Sequence, residues 1–396
     1  MKNTIFLKAF ALVFITLFIS CKSGEKKEMI AQEITNIKNY FAPDKRTALF
    51  NIKVADQPES IVLTGESNQP QAMDSLRALL RAKGIDFKDE MRLLPSKELK
   101  GHHYAVVNIS TANLRSNPKH SAELATQAIL GTSVRVLKKE GGWYLVQTPD
   151  QYLAWVDAGG IELMDKEKLD LWSKSNKVIV TNTYAHAFKT INGTTRISDL
   201  VAGSLLKLMG VADGNYKVQF PDGRMAFVPM NSAEVYNTWL QNLSLEEDAL
   251  VETSKTLMGV PYLWGGTSTK GVDCSGFTKT VYYLNGMVIP RDASQQVHTG
   301  SSIDSLSNFD ALRKGDLLFF GKKATDSTAE KVVHVGMWIG NNQFIHSSDM
   351  VRISSVDKNS PNYDEYNVNR YLRTKRLFKE KDKNIIELTK ATEIKG

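Results

Sequence analysis

Cys274 sits where a glycine-bearing stretch meets an apolar run at helical spacing, and this junction constrains the chain more than any other feature. The segment reads Tyr262-Leu-Trp-Gly-Gly-Thr-Ser-Thr-Lys-Gly-Val-Asp-Cys-Ser-Gly-Phe277. Gly265, Gly266 and Gly271 predict a tight approach loop. Asp273 is placed as the N-cap of a helix that starts at Cys274 and runs to Leu284. The sulfur would then lie in the first turn, where the helix dipole favours a thiolate and free backbone N–H groups can hold an oxyanion.

A thiol nucleophile needs an imidazole beside it and a third group to orient that imidazole. Two histidines follow at a suitable place. His334 lies in the apolar strand pattern Val332 to Ile339. His346 comes 12 residues later, after the Gly340-Asn-Asn turn, in Phe344-Ile-His-Ser-Ser348. Neighbouring hairpin strands would set the two rings side by side on one face. A buried structural cysteine with satisfied core histidines is the bland alternative. A Cys-His-His metal site is another, although no Cys-x-x-Cys or His-x-x-x-His spacing accompanies it. No metal or organic cofactor is implied.

The chain has 2 cysteines in 396 residues, and the other has its own explanation. Lys2 and Lys8 precede the apolar run Ala9 to Ile19, which is too short to span a bilayer comfortably. The run ends Leu17-Phe-Ile-Ser-Cys21, an export pattern resembling a bacterial lipoprotein signal, with Phe18 where leucine is usual. A lipid on Cys21 would attach the protein to a membrane of the bacterial envelope, periplasm-facing, and would leave Cys274 unpaired. An unpaired thiol in an exported protein points to a working thiol. The net charge of +7 is diffuse, and no Lys/Arg block with interleaved aromatics supports nucleic-acid binding.

The length exceeds one ordinary domain. After the signal segment 1–21, residues 22–45 read as a polar tether. Residues 46–100 read as a small strand-strand-helix-strand unit of unassigned role, its helix running from Pro70 to Lys83 before Gly84. Residues 103–164 carry short strands with turn signals, which suggest a small β-barrel. Residues 165–238 repeat that layout at a spacing of about 70 residues, with Pro221-Asp-Gly223 as a hairpin signal. Residues 240–380 hold the cysteine and histidine motifs, opening with a helix over Glu246 to Met258. Residues 381–396 read as a polar tail. The expected class is α+β.

Six motifs in order resemble the NlpC-type cell-wall cysteine peptidases, which are papain-like. They are Pro261-Tyr-Leu-Trp-Gly-Gly, Asp273-Cys-Ser-Gly-Phe277, Pro290-Arg-Asp-Ala-Ser-Gln-Gln296, Lys314-Gly-Asp-Leu-Leu-Phe-Phe320, His334-Val-Gly-Met-Trp-Ile-Gly340 and Phe344-Ile-His-Ser-Ser348. The resemblance implies Cys274 as nucleophile, His334 as base, His346 as orienting residue and Tyr262 beside the nucleophile. Residues 103–164 are similar to bacterial Src-homology-3-like domains, through Asn113-Leu-Arg-Ser-Asn-Pro118, Gly142-Trp-Tyr-Leu-Val and Tyr152-Leu-Ala-Trp-Val156.

With two such barrels ahead of the peptidase, the layout resembles the YkfC-type γ-D-glutamyl-L-diamino-acid endopeptidases. These cut short murein peptides that carry a free N-terminal L-Ala, and the first barrel walls off the far end of the cleft. A buried ammonium there needs acidic partners. The matching residues are Glu123 and Asp292, with Tyr152 as the barrel's aromatic contributor and Ser275 beside the nucleophile. Ala293 departs from the serine common at its position, which removes one expected hydrogen bond to substrate. Two other readings stand beside this one: an endopeptidase acting on intact peptidoglycan, and a non-catalytic wall-binding lipoprotein.

Overall fold

The structure is a computed structural model that describes residues 25–55, 57, 60–244 and 246–390. The signal segment and Cys21 lie outside the described residues. The chain divides into two compact units, residues 1–98 and 99–396.

The first unit corrects the tether expectation. Residues 25–41 are helical, and Ile30, Ile34 and Ile37 bury one stripe of that helix in a core with Phe50, Leu63, Leu76 and Leu80. Apolar residues at i, i+4 and i+7 make the segment amphipathic, so burial outweighs its polar composition. The rest of the unit is a three-stranded sheet. Phe50–Val54 pairs antiparallel with Val62–Ser67, which pairs parallel with Lys88–Leu93 through the helix Pro70–Ala82. Among the described residues, no helix is long and apolar enough to cross a membrane.

The second unit begins with two antiparallel seven-stranded sheets of one topology. In the first, the strands run in the order Ile161–Met164, Tyr104–Val107, Ser133–Glu140, Trp143–Gln147, Leu153–Asp157, Thr111–Arg115, Leu124–Ile129. In the second the corresponding order is Ala233–Val235, Lys177–Val180, Leu205–Ala212, Asn215–Gln219, Met225–Pro229, Tyr184–Phe188, Arg196–Val201. Each strand of one sheet has its counterpart at the same place in the other, which identifies an internal repeat. Each copy has its own apolar core.

Beyond them, a six-stranded antiparallel sheet runs in the order Ser301–Asp304, Tyr371–Arg376, Leu317–Lys322, Lys331–Gly340, Gln343–Ser348, Met350–Ser355. The helix Cys274–Tyr283 packs across it. Phe277 and Val281 are buried against Leu317, Phe319, Val335, Met337 and Ile345. The expected polar tail is docked in part. Ile386–Glu387 pairs with Met287–Val288, and Leu388 is buried in one apolar cluster with Trp239 and Val288.

Candidate active site

Asp273 caps the helix as its residue type predicts, its side chain accepting from the Gly276 N–H at 2.7 Å. This fixes Cys274 at the first helical position, buried and with no disulfide partner among the described residues. Backbone N–H groups of Ser275 and Val335 are directed at the sulfur and favour its thiolate. Burial and the Asp273 carboxylate oppose them and push the thiol up to about 12. Burial therefore works against the helix start, because removing an anion from water opposes the two backbone donors.

Val335 adjoins His334, so the strand that donates to the sulfur also carries the first imidazole. The His334 Nε2 lies 2.8 Å from His346 Nδ1. The register that pairs Met337 with Ile345 puts the two histidines on one face as diagonal neighbours. Gly336 lies between them; a Cβ there would come 2.8 Å from the Phe344 ring. Burial holds His334 well below the usual imidazole range, helped by His346, and it lowers His346 to about 4. Burial thus favours the uncharged form of the thiol and of both imidazoles.

The chain of contacts continues past the residues the sequence singled out. His346 Nε2 lies 3.0 Å from Ser354 Oγ and 3.8 Å from Asp364 Oδ2. Against its burial, Asp364 is lowered by Asn367, by His346 and, to a smaller extent, by the Ser354 hydroxyl. Tyr262 is half-buried, and burial together with the nearby Cys274 and Asp273 raises its hydroxyl, which keeps it a neutral donor.

Arg291 is fully buried and grips Asp273 with both amino groups, at 3.1 and 2.6 Å. Its Nε donates to Thr126 Oγ1 of the first barrel at 3.0 Å. Ser275, which the resemblance puts in contact with substrate, has its hydroxyl bound to Arg291 at 3.1 Å and Asp273 at 3.3 Å. Ala293 is buried at the start of the short helix Ala293–Gln296.

The first barrel closes on this loop. Tyr152 donates its hydroxyl to Asp292 at 3.1 Å, and the Trp264 indole N–H donates to Glu123 at 2.7 Å. Gln127 accepts from the Thr267 N–H and the Ser268 hydroxyl, both at 3.0 Å. The Lys279 ammonium pairs with the buried Asp150 carboxylate at 2.5 Å. A cavity of 380 Å³ lies at the other end of the nucleophile helix, bordered by Trp172, Tyr236, Thr280 and Tyr283. It includes neither Cys274 nor the histidines. Among the described residues no cluster of His, Cys, Asp and Glu could hold a metal ion.

A family model of the NlpC/P60 family matches residues 259–370, and one of the bacterial dipeptidyl-peptidase Sh3 domain matches residues 114–161. A γ-D-glutamyl-L-lysine dipeptidyl-peptidase of Bacillus cereus is 34% identical over 259 residues, 63% of this chain and 76% of that one. The chain belongs to the NlpC/P60 family. A protein of the same name from Bacillus subtilis is 31% identical, over 57% of this chain and 72% of its own length. The crystal structure of an NlpC/P60 family protein from Bacillus cereus matches with a TM-score of 0.59 at 27% identity, covering 69% of this chain and 99% of that one. This NlpC/P60 protein is thus a cysteine peptidase of mixed α+β fold, its peptidase domain preceded by Src-homology-3-like β domains.

Proposed function

We propose that this NlpC/P60 peptidase hydrolyses the γ-D-Glu–L-diamino-acid bond of short murein peptides that carry a free N-terminal L-Ala, in cell-wall peptide recycling. One observation carries the reading beyond general peptidoglycan-peptide hydrolysis. The first barrel brings Glu123 and Tyr152 onto the loops of the nucleophile, through Trp264 and Asp292. Carboxylates held at that end suit an ammonium group, and a barrel standing there suits a short peptide better than a continuous strand. The relatives named γ-D-glutamyl-L-lysine dipeptidyl-peptidases support the bond type.

In this reading Cys274 gives its proton to His334 and its sulfur attacks the D-Glu γ-carbonyl carbon. Backbone N–H groups at the helix start and the Tyr262 hydroxyl face the developing oxyanion. Collapse expels the diamino-acid amine, which takes the proton from His334. A water deprotonated by His334 then attacks the thioester carbon, the C–S bond breaks, the departing sulfur takes the proton back from His334, and L-Ala-D-Glu is released. His346 holds the His334 ring throughout. No step calls for a metal or cofactor. Cys21 carries lipid and tethers the protein to the envelope membrane. Replacing Cys21 by Ala should move the protein from the membrane fraction to the soluble fraction.

The test is turnover of L-Ala-γ-D-Glu-L-Lys and of its diaminopimelate counterpart, each with and without N-acetylation, alongside intact sacculi. Rapid release of L-Ala-D-Glu from the free tripeptides alone is expected. Equal rates on N-acetylated peptide, or preferential turnover of sacculi, would move the assignment to an endopeptidase of intact peptidoglycan. Loss of all turnover in Cys274→Ala is expected. No turnover of any substrate by the intact protein, with Cys274 inert to iodoacetamide, would leave a wall-binding protein.

A further inference from the structure

We infer that Asp364, acting through the Ser354 hydroxyl, is a positioning residue that sets the protonation order of both histidines and so makes His334 Nδ1 the base for Cys274. The inference rests on the catalytic reading of Cys274 and His334 given above.

The argument is a count of donors along one line of contacts. Asp364 is the N-cap of Glu365–Val368, and its carboxylate already accepts from the Asn367 N–H at 3.0 Å and the Asn367 amide at 2.6 Å. A carboxylate is acceptor-only, and the Ser354 hydroxyl helps to stabilise its charge, so in this inference the serine proton turns toward Asp364, whose Oδ2 also lies 3.8 Å from His346 Nε2. Ser354 Oγ then has only lone pairs to offer at 3.0 Å from His346 Nε2, and His346 must carry its proton on that nitrogen. His346 Nδ1 is left as an acceptor. The partner at 2.8 Å, His334 Nε2, must therefore be the donor. His334 is then protonated on Nε2, and Nδ1 keeps the lone pair that receives the thiol proton. Every hydrogen bond in the line follows from the anion at its end.

The geometry makes the line stiff. Ser354 lies diagonally across from His346 on the neighbouring strand, two residues beyond its direct partner Arg352. His346, Ser354 and His334 are all buried, so water does not offer alternative partners. The charges around the pair oppose one another. Asp364 and Asp349 favour protonation of His346, whereas Arg352 and Arg370 oppose it along with burial, and both arginines also oppose protonation of His334. Of the two carboxylates, Asp364 exerts the larger effect on His346, and its Oδ2 lies 3.8 Å from His346 Nε2.

Asp364→Asn tests this. The amide offers Ser354 a donor in place of an acceptor, so the serine would donate to His346 Nε2. Both histidines would then carry protons on Nδ1, and His334 would present a proton to the sulfur in place of a lone pair. Reversal of this kind in a serine-protease triad costs on the order of 10⁴-fold in kcat. Three readouts are taken on the full chain: ¹⁵N NMR of the histidine rings, kcat and KM on L-Ala-γ-D-Glu-L-Lys across pH, and the rate of Cys274 alkylation by iodoacetamide. Expected are Nε2-protonated rings in the wild type, Nδ1-protonated rings in the variant, a large loss in kcat with KM nearly constant, and slower alkylation at neutral pH. Wild-type tautomers and an unchanged pH profile in a folded Asp364→Asn would overturn the inference. If that variant fails to fold, Ser354→Ala decides, since it leaves the Asp364 cap in place. Unchanged ring signals and kcat in Ser354→Ala would overturn the inference as well. Failure of the underlying reading has a different signature: Cys274→Ala keeps its turnover while the wild-type ring signals still report the tautomers.

Discussion

Arg291 and Asp273 form a two-pronged ion pair, with Nη1–Oδ1 at 3.1 Å and Nη2–Oδ2 at 2.6 Å, in which the guanidinium is entirely buried. Asp273 is the N-cap of the nucleophile helix, so this pair fixes where Cys274 begins. Losing one member leaves the other charged and desolvated, which typically costs about 3–5 kcal/mol, whereas removing both costs much less. Arg291→Met should therefore unfold at markedly lower denaturant. Arg291→Met combined with Asp273→Asn, which keeps an N-cap acceptor, should recover most of that loss. Equal midpoints for the single variant and wild type would show that the pair contributes nothing.

Gly265 makes the second junction. Its φ is +80°, and a Cβ there would stand 2.2 Å from the Leu124 carbonyl oxygen of the first barrel. An alanine must adopt an unfavourable backbone conformation and also push the barrel strand away. Gly265→Ala should lower the melting temperature by about 5 °C or more, since 1 kcal/mol moves a domain of this size by roughly 2–4 °C. It should also raise KM for the tripeptide, because Glu123 adjoins Leu124. A melting curve that overlays wild type would contradict the close approach.

The parts of this site that sequence made legible are those that local periodicity encodes. Asp273 and Cys274 lie at a cap and a helix start, and His334 and His346 lie on two strands joined by a tight turn, so spacing alone brings them near one another. Ser354 and Asp364 escaped because nothing in Arg352-Ile-Ser-Ser355 or Asn362-Tyr-Asp-Glu365 marks them. Their role depends on a strand register and on a helix cap that folds back toward His346. For Cys274 the helix start that favours a thiolate is local, whereas the burial that opposes it comes from distant sheet residues such as Val335, Met337 and Ile345. In 22–45 the polar and charged composition masks the stripe of Ile30, Ile34 and Ile37.

Glu123 is exposed, yet the Trp264 indole holds one of its oxygens at 2.7 Å. That contact orients the carboxylate without neutralising it. If it receives the ammonium of a free N-terminal alanine, Glu123→Gln removes a charge-assisted hydrogen bond of about 1.5–3 kcal/mol. KM for the free tripeptide should then rise roughly 10- to 100-fold, with kcat nearly constant and with no effect on an N-acetylated peptide. An equal effect on both peptides would assign Glu123 a purely structural part, as the support of Trp264.

Acid sensitivity follows from the buried histidine pair. His346 titrates near 4 in the folded protein against an ordinary value of 6.5, and His334 is lowered as well, both chiefly through burial. The unfolded chain therefore binds protons that the folded chain refuses, and stability falls as pH drops from about 6.5 toward 4. For His346 alone the loss reaches about 3 kcal/mol once the pH is below its folded value. Carboxylates with depressed values, Asp364 among them, give up their stabilisation at lower pH, so the two windows separate. Denaturant midpoints measured from pH 7 to pH 4.5 should decline in wild type and decline less in His346→Gln, which does not titrate. A wild-type midpoint constant over that range would show that the imidazoles are protonated in the folded protein, and the uncharged imidazole pair would have to be abandoned.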